Sequence, residues 1–206
     1  LARNNHVFSR PKYILDKISR KLQEKKMLPA IVFVFSRKKA QNYAEEIEAN
    51  LLPEDIRVNL EKECKQCLMK LPNYKEYVSL PEYETIVKLL NKGIAVHHSG
   101  VLPVFREMIE IMFEKGYIQL LFATETFAVG VNMPAKTVIF DSLQKYDNNG
   151  LRFIRTDECV QMAGRAGRRG LDKTGTIFIL PTVKIPSNNE FKNILMQKIK
   201  ELKILP

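Results

Sequence analysis

Residues 30–35 read AIVFVF, six apolar side chains in a row. Successive side chains of a strand point to opposite faces, so an unbroken apolar run of this length fits a strand buried on both sides. Such a strand needs neighbours in a sheet and a cover above and below. The flanking sequence has the right form for both. Ile14, Leu15, Ile18 and Leu22 recur at helical spacing before the run, and Ala40, Tyr43, Ala44, Ile47 and Leu51 recur at it afterwards. Residues 93–97, 118–123, 137–141 and 176–180 have strand character, and Phe105, Met108, Ile109 and Met112 form another helical stripe before Gly116. Alternation of this kind predicts an α/β fold, a parallel sheet with helices on both faces. Functional side chains are then expected beyond the carboxyl ends of the strands.

Two segments interrupt the rhythm. Residues 52–92 hold no obvious sheet strand, carry Pro53, Pro72 and Pro81, and are expected to be a helical insertion with a mobile middle. Residues 144–155 contain the turn cluster Asp147, Asn148, Asn149 and Gly150, which predicts a surface hairpin or loop. The expected division is a basic linker and N-terminal helix over residues 1–28, the α/β domain over 29–183, and the start of a following helical segment over 184–206.

The formal net charge is +10, and residues 1–26 hold eight basic against two acidic side chains. A surplus of this size favours a polyanionic partner. Nucleic acid and an anionic membrane surface both qualify, and the phosphate-directed motifs below favour nucleic acid. No apolar stretch is long enough to span a bilayer. Three cysteines, an odd number, argue for a reducing and so intracellular compartment, without separating nucleus from cytoplasm. Cys64 and Cys67 lie one helical turn apart and lack the further ligands a zinc site needs.

Residues 161–170, QMAGRAGRRG, are the densest chemical signal in the chain. Arg165 and Arg168 are three apart, so on a helix they would share a face, with Arg169 about 100° away from Arg168. Guanidinium forks are planar, permanently charged and bidentate, which suits a triphosphate. Three further motifs follow strands. Ser36 and Arg37 leave the first apolar run and open a helix, where free N–H groups attract anions. His98, Ser99 and Gly100 follow residues 93–97. Thr124 and Glu125 follow residues 118–123, with Gly130 and Asn132 a little further on.

QMAGRAGRRGLD, LFATETFAVGVNMPA and GIAVHHSGVLP together resemble the motifs of superfamily 2 helicases, in the form carried by DExH RNA helicases of the superkiller and exosome-cofactor group. The resemblance covers roughly residues 5–185 and only the second RecA-like domain. It implies that Arg165 and Arg168 are fingers on the γ-phosphate of ATP. It places Gln161, Gly130 and Asn132 on the nucleotide side. Ser36, Arg37, His98, Ser99, Gly100, Thr124 and Glu125 would contact RNA. The chain has no GxxxxGK[ST] loop and no DExH string. In the family those belong to a first RecA-like domain, which would also hold Mg²⁺. The implied whole is an ATP-dependent RNA helicase whose partners are single-stranded RNA, the first RecA-like domain, and the exosome or its adaptors. This portion alone is expected to be inactive. A non-enzymatic RNA-binding module and a DNA helicase domain remain open at this point.

Overall fold

The computed structural model describes residues 11–130 and 133–180, with residues 187, 189, 192 and 194. Five short strands form one parallel sheet: β1 (Ala30–Phe33), β2 (Ile94–His97), β3 (Leu120–Ala123), β4 (Thr137–Phe140) and β7 (Thr176–Ile179), in the order β2-β3-β1-β4-β7. The register is aligned across the centre: Phe33 lies opposite both Ala123 and Phe140, and His97 opposite Ala123. The carboxyl ends of β2, β3, β1 and β4 therefore form one continuous edge. β5 (Gln144–Asp147) and β6 (Gly150–Phe153) make a separate antiparallel hairpin, as the turn cluster predicts.

Every residue of β1, β2, β3 and β4 is buried. Alternation along them produces two cores. Ala30, Val32, Ile94, Val96, Leu120 and Phe122 face one, covered by α1 (Pro11–Glu24) and α2 (Arg37–Glu46). Ile31, Phe33, Ala95, Leu121, Ala123, Val138 and Phe140 face the other. That second core is covered by α4 (Leu60–Leu68), α6 (Pro81–Leu90), α7 (Pro103–Glu114), α8 (Thr126–Gly130) and α9 (Thr156–Ala163). The sheet is thus helix-covered on both faces, as expected.

Residues 52–92 are helical, as expected, and they are also structural. α3 (Glu54–Arg57), α4, α5 (Tyr74–Val78) and α6 together form the crossover from α2 to β2. Leu60, Cys64, Leu68, Tyr83, Ile86, Val87 and Leu90 enter the second core, and Tyr77 and Tyr83 each place a ring 6.1 Å from that of Phe105. Cys64 and Cys67 both lie on α4. Burial pushes the Cys64 thiol up to about 12, so it packs as an un-ionised apolar group.

α1 docks on the domain through Leu15 and Leu22. The Asp16 carboxylate accepts the N–H groups of Glu48 and Ala49, both at 2.9 Å, beyond the far end of α2. The Lys136 ammonium donates to the Lys26 carbonyl just before β4. Both anchors lie at the amino edge of the sheet, while Lys21 and Lys25 stand beside Phe178 and Leu180 at the end of β7. Ile194 is buried against the second core, and the rest of the expected following helix lies outside the described residues. No described helix is long and apolar enough to cross a membrane.

If residues 52–92 are an integral layer, Leu60→Ala should cost about 2–5 kcal/mol, the usual range for an emptied core site. Urea denaturation of the two proteins measures it; a loss below about 0.5 kcal/mol, ordinary for a surface position, would mark the segment as an appendage.

Candidate functional site

The expected phosphate-facing residues divide between two opposite edges of the sheet. Three motifs stand side by side at the carboxyl edge. Ser36 caps α2, its Oγ accepting the Lys39 N–H at 3.3 Å. Arg37 is exposed in the first turn, which contains no acidic residue. A Cβ on Gly100 would lie 3.5 Å from Arg37 Cδ and 3.1 Å from His98 Nδ1, so the motif after β2 touches the one after β1. The Gly100 N–H donates to His98 Nδ1 at 3.1 Å, which leaves Nε2 as the proton-bearing nitrogen. Ser99 is exposed beside them. Between these two motifs in sheet order lies the turn after β3. Its Thr124 N–H donates to the His97 carbonyl at 3.2 Å, and the Thr124 and Thr126 hydroxyls share a 3.0 Å hydrogen bond.

Glu125 has a different partner. Its carboxylate lies 3.3 Å from Lys145 Nζ, and Lys145 also reaches Glu158 at 2.9 Å. Glu158 in turn holds Arg152 and the N–H of Arg155. Burial opposes its charge, but the hydrogen bonds from Arg152, Arg155 and Lys145 prevail and hold the carboxyl far below the usual range. This network ties the hairpin both to the turn after β3 and to the start of α9. A cavity of about 240 Å³ lies where the hairpin meets the carboxyl edge, lined by Ser36, Lys39, Lys145, Tyr146 and Leu151. Lys39 is fixed there by the buried Asp141 at 2.6 Å. Sequence reasoning missed Lys39, Asp141 and Lys145, whose partners lie 13 to 102 residues away and leave no periodic trace.

The arginines stand elsewhere. α9 ends at Ala163, and Arg165 and Arg168 lie on a loop, not on the shared helical face that their spacing suggests. Two features hold the residues beyond the helix in a loop. Gly167 takes φ +89, a left-handed value that side chains resist. The loop backbone is also paired with the residues before β4: Ala135 N–H donates to Arg165 O at 2.8 Å, and Gly167 N–H to Ala135 O at 2.7 Å. Gly175 presses against this loop so closely that a Cβ there would lie 2.4 Å from the Ala166 carbonyl carbon. Arg165 Nη2 donates to the Ala128 carbonyl of α8. Arg168 is paired with Asp172 and lines a cavity of about 390 Å³ with Pro29, Gln119, Pro134 and Leu171.

Those neighbours precede β1, β3 and β4, so the arginine loop occupies the amino edge. The arginines thus stand away from the carboxyl edge, where the sequence leads one to expect the functional side chains. The reason is topological. A crossover helix leaves the carboxyl edge and returns the chain to the amino edge, and the arginines follow such a helix. Gly130 ends α8 on the same return path, Gln161 is exposed near the end of α9, and Asn132 lies outside the described residues.

Beneath the carboxyl edge, His97 is buried, with Nε2 2.7 Å from Glu110 Oε1 and its ring 4.9 Å from that of Phe127. Nδ1 is buried without a hydrogen-bond partner among the described residues. Burial outweighs Glu110 and holds His97 below its ordinary 6.5. His98 is lowered too, by burial and by the Arg37 charge. A depressed histidine takes up its proton more readily when unfolded, so stability is present above 6.5 and lost as pH falls through that value toward the lower folded one. His97→Gln should therefore lose less stability than the parent chain between about pH 7.5 and 5.5 in urea titrations. An equal loss in both would show that His97 does not carry the effect.

Residues 48–170, more than half of the chain, match the family described as helicase conserved C-terminal domain. The antiviral helicase SKI2 of Saccharomyces cerevisiae is 45% identical over 176 residues, covering 85% of this chain and 14% of that protein. Superkiller complex protein 2 of Homo sapiens is 41% identical over 186 residues, covering 88% and 14%. The exosome RNA helicase MTR4 of Homo sapiens is 40% identical over 174 residues, covering 82% and 16%. The chain thus spans about one seventh of the length of these relatives. With its parallel sheet and its glycine-flanked arginine loop, the chain belongs to the helicase conserved C-terminal domain family.

Proposed function

We propose that this chain is the second motor domain of a longer ATP-dependent RNA helicase, similar in role to its superkiller and exosome relatives. The observation that carries the reading is the division of phosphate-directed residues between two edges joined by one short connection. Residues 124–136 leave β3 beside His97 and reach the arginine loop at Ala135. One edge holds a nucleic-acid backbone and the other meets the nucleotide.

At the carboxyl edge, Arg37, the α2 N-terminus, His98 Nε2, Ser99, the Gly100 backbone and the Thr124 hydroxyl are donors for successive phosphates. A carboxylate has no proton to give a phosphate, so Glu125 contributes by holding Lys145. At the amino edge, Arg165 and Arg168 are the fingers, and Gln161, Gly130 and Asn132 are assigned to the nucleotide. The residues fit a triphosphate: Arg168 keeps donor capacity beyond its bond to Asp172 and lines an open cavity. Mg²⁺, which would neutralise phosphate charge, falls to carboxylates of the partner domain. Exosome or adaptor partners, and a place in RNA processing and degradation inside the cell, follow the same likeness.

In the longer protein, Arg165→Ala or Arg168→Ala should lower kcat for ATP by about 10³–10⁵, with RNA affinity nearly unchanged, because fingers act on charge that develops in the transition state. Lys should rescue little, since a point charge cannot reproduce the fork. Arg169 is exposed, and Arg169→Ala should matter least. The steady-state comparison of the three alanine variants decides. Losses that track RNA affinity, or a dominant Arg169 effect, would refute the finger assignment.

The isolated chain should bind single-stranded RNA weakly, with affinity falling steeply between low and moderate salt and little dependence on base sequence. Arg37→Glu should weaken binding equally for all sequences. Fluorescence anisotropy at two salt concentrations measures both. Salt-insensitive or base-specific binding would overturn the backbone grip, and equal or tighter binding to DNA would favour a DNA helicase.

A further inference from the structure

Arg168 is the most tightly held arginine of the amino edge. Its Nε donates to Asp172 Oδ2 at 2.8 Å and its Nη2 to Asp172 Oδ1 at 3.0 Å. The backbone N–H of Arg168 also donates to Oδ2, at 3.0 Å. Asp172 thus closes a loop that contains Gly170, at φ +80, and follows Gly167, at φ +89. A long side chain on so permissive a backbone would otherwise sample many rotamers.

The pairing is side-on. A guanidinium carries five N–H groups, and this arrangement uses Nε–H and one on Nη2. Both hydrogens of Nη1 and the second on Nη2 remain, and one from each Nη forms the end-on fork. No other side-chain hydrogen bond of Arg168 occurs among the described residues. Two effects of Asp172 then oppose each other. Its negative charge weakens the pull of Arg168 on any phosphate. Its bidentate bond fixes the direction of the remaining fork. The Asp172 side chain is only 6% exposed, and the Arg168 guanidinium holds its carboxyl down at about 2, so both effects are present at every working pH.

We propose that Asp172 is the positioning residue for Arg168, locking the guanidinium side-on so that its end-on fork is presented to a nucleotide phosphate. The proposal rests on the finger reading above. A finger stabilises charge that appears only in the transition state, so its direction registers in kcat. Simple weakening of charge would act on ground-state ATP as well, and removing Asp172 would then tighten ATP or speed turnover. The sign of the change separates the two effects.

The test is steady-state ATP hydrolysis at saturating RNA by the full-length protein, carrying Arg168→Ala, Asp172→Asn, or both. Asp172→Asn should lower kcat about tenfold or more, the scale seen for partners that orient metal-ligating side chains, with KM for ATP little changed. The double variant should be no slower than Arg168→Ala alone, because the carboxylate acts through the guanidinium. If Asp172→Asn raises kcat, leaves it unchanged, or causes the same loss in the Arg168→Ala background, the positioning role is overturned while the finger reading stands. If Arg168→Ala leaves kcat intact, the finger reading falls and the role of Asp172 with it. Should Asp172→Asn fail to fold, Asp172→Glu, which keeps the charge and loses the loop geometry, is read through the same cycle with the same outcomes.

Discussion

Burial of the central strands on both faces governs the rest of this structure. Hydrogen bonds along β1 and β3 are satisfied only by parallel neighbours, and their side chains only by a helical layer on each side. Parallel neighbours require crossovers, and each crossover carries the chain from one end of the sheet to the other. Two classes of loop result, at opposite edges. The chain uses the first class for the motifs after β1, β2 and β3, and the second for the arginine loop. The separation of the two proposed ligand surfaces is thus a product of the same packing that makes the core.

Stiffness at each edge comes from different interactions. At the carboxyl edge it is charge: Lys39 with Asp141, and Lys145 between Glu125 and Glu158. Exposed ion pairs contribute little to stability, but Lys145 and Glu158 are each only 13% exposed and lie within a network. At the amino edge it is backbone: the bridge between Ala135 and Ala166, and the close passage of Gly175. A side chain at Gly175 would force the arginine loop off β4, so glycine there is a packing requirement of the site.

Much of this was legible in the sequence, for identifiable reasons. The central strands β1 and β3 lie inside apolar runs, because burial on both faces leaves no room there for polar residues. The hairpin was announced by Asp147 to Gly150, with Gly150 at φ +112. The arginine loop was misplaced because helical spacing says nothing of a backbone partner 31 residues away at Ala135. Asp172 left a local trace, an acid four residues after Arg168, but a helix would offer the same spacing, so the loop closure was hidden. The role of residues 52–92 was obscured because their apolar positions are split among four short helices. The basic excess of residues 1–26 named a class of partner but not a surface.

The strands of the sheet have another consequence. Four residues at about 3.3 Å each make a sheet only ~13 Å deep from one edge to the other. With the arginine edge held by the proposed nucleotide contact, a sheet that shallow would work as a short lever. A pivot of a few degrees at one edge moves the other by no more than an ångström or so, and an advance of one nucleotide needs a swing several times larger. The step size of the proposed motor is then set by how far the whole domain can turn, and shortening or lengthening these strands would change its gearing.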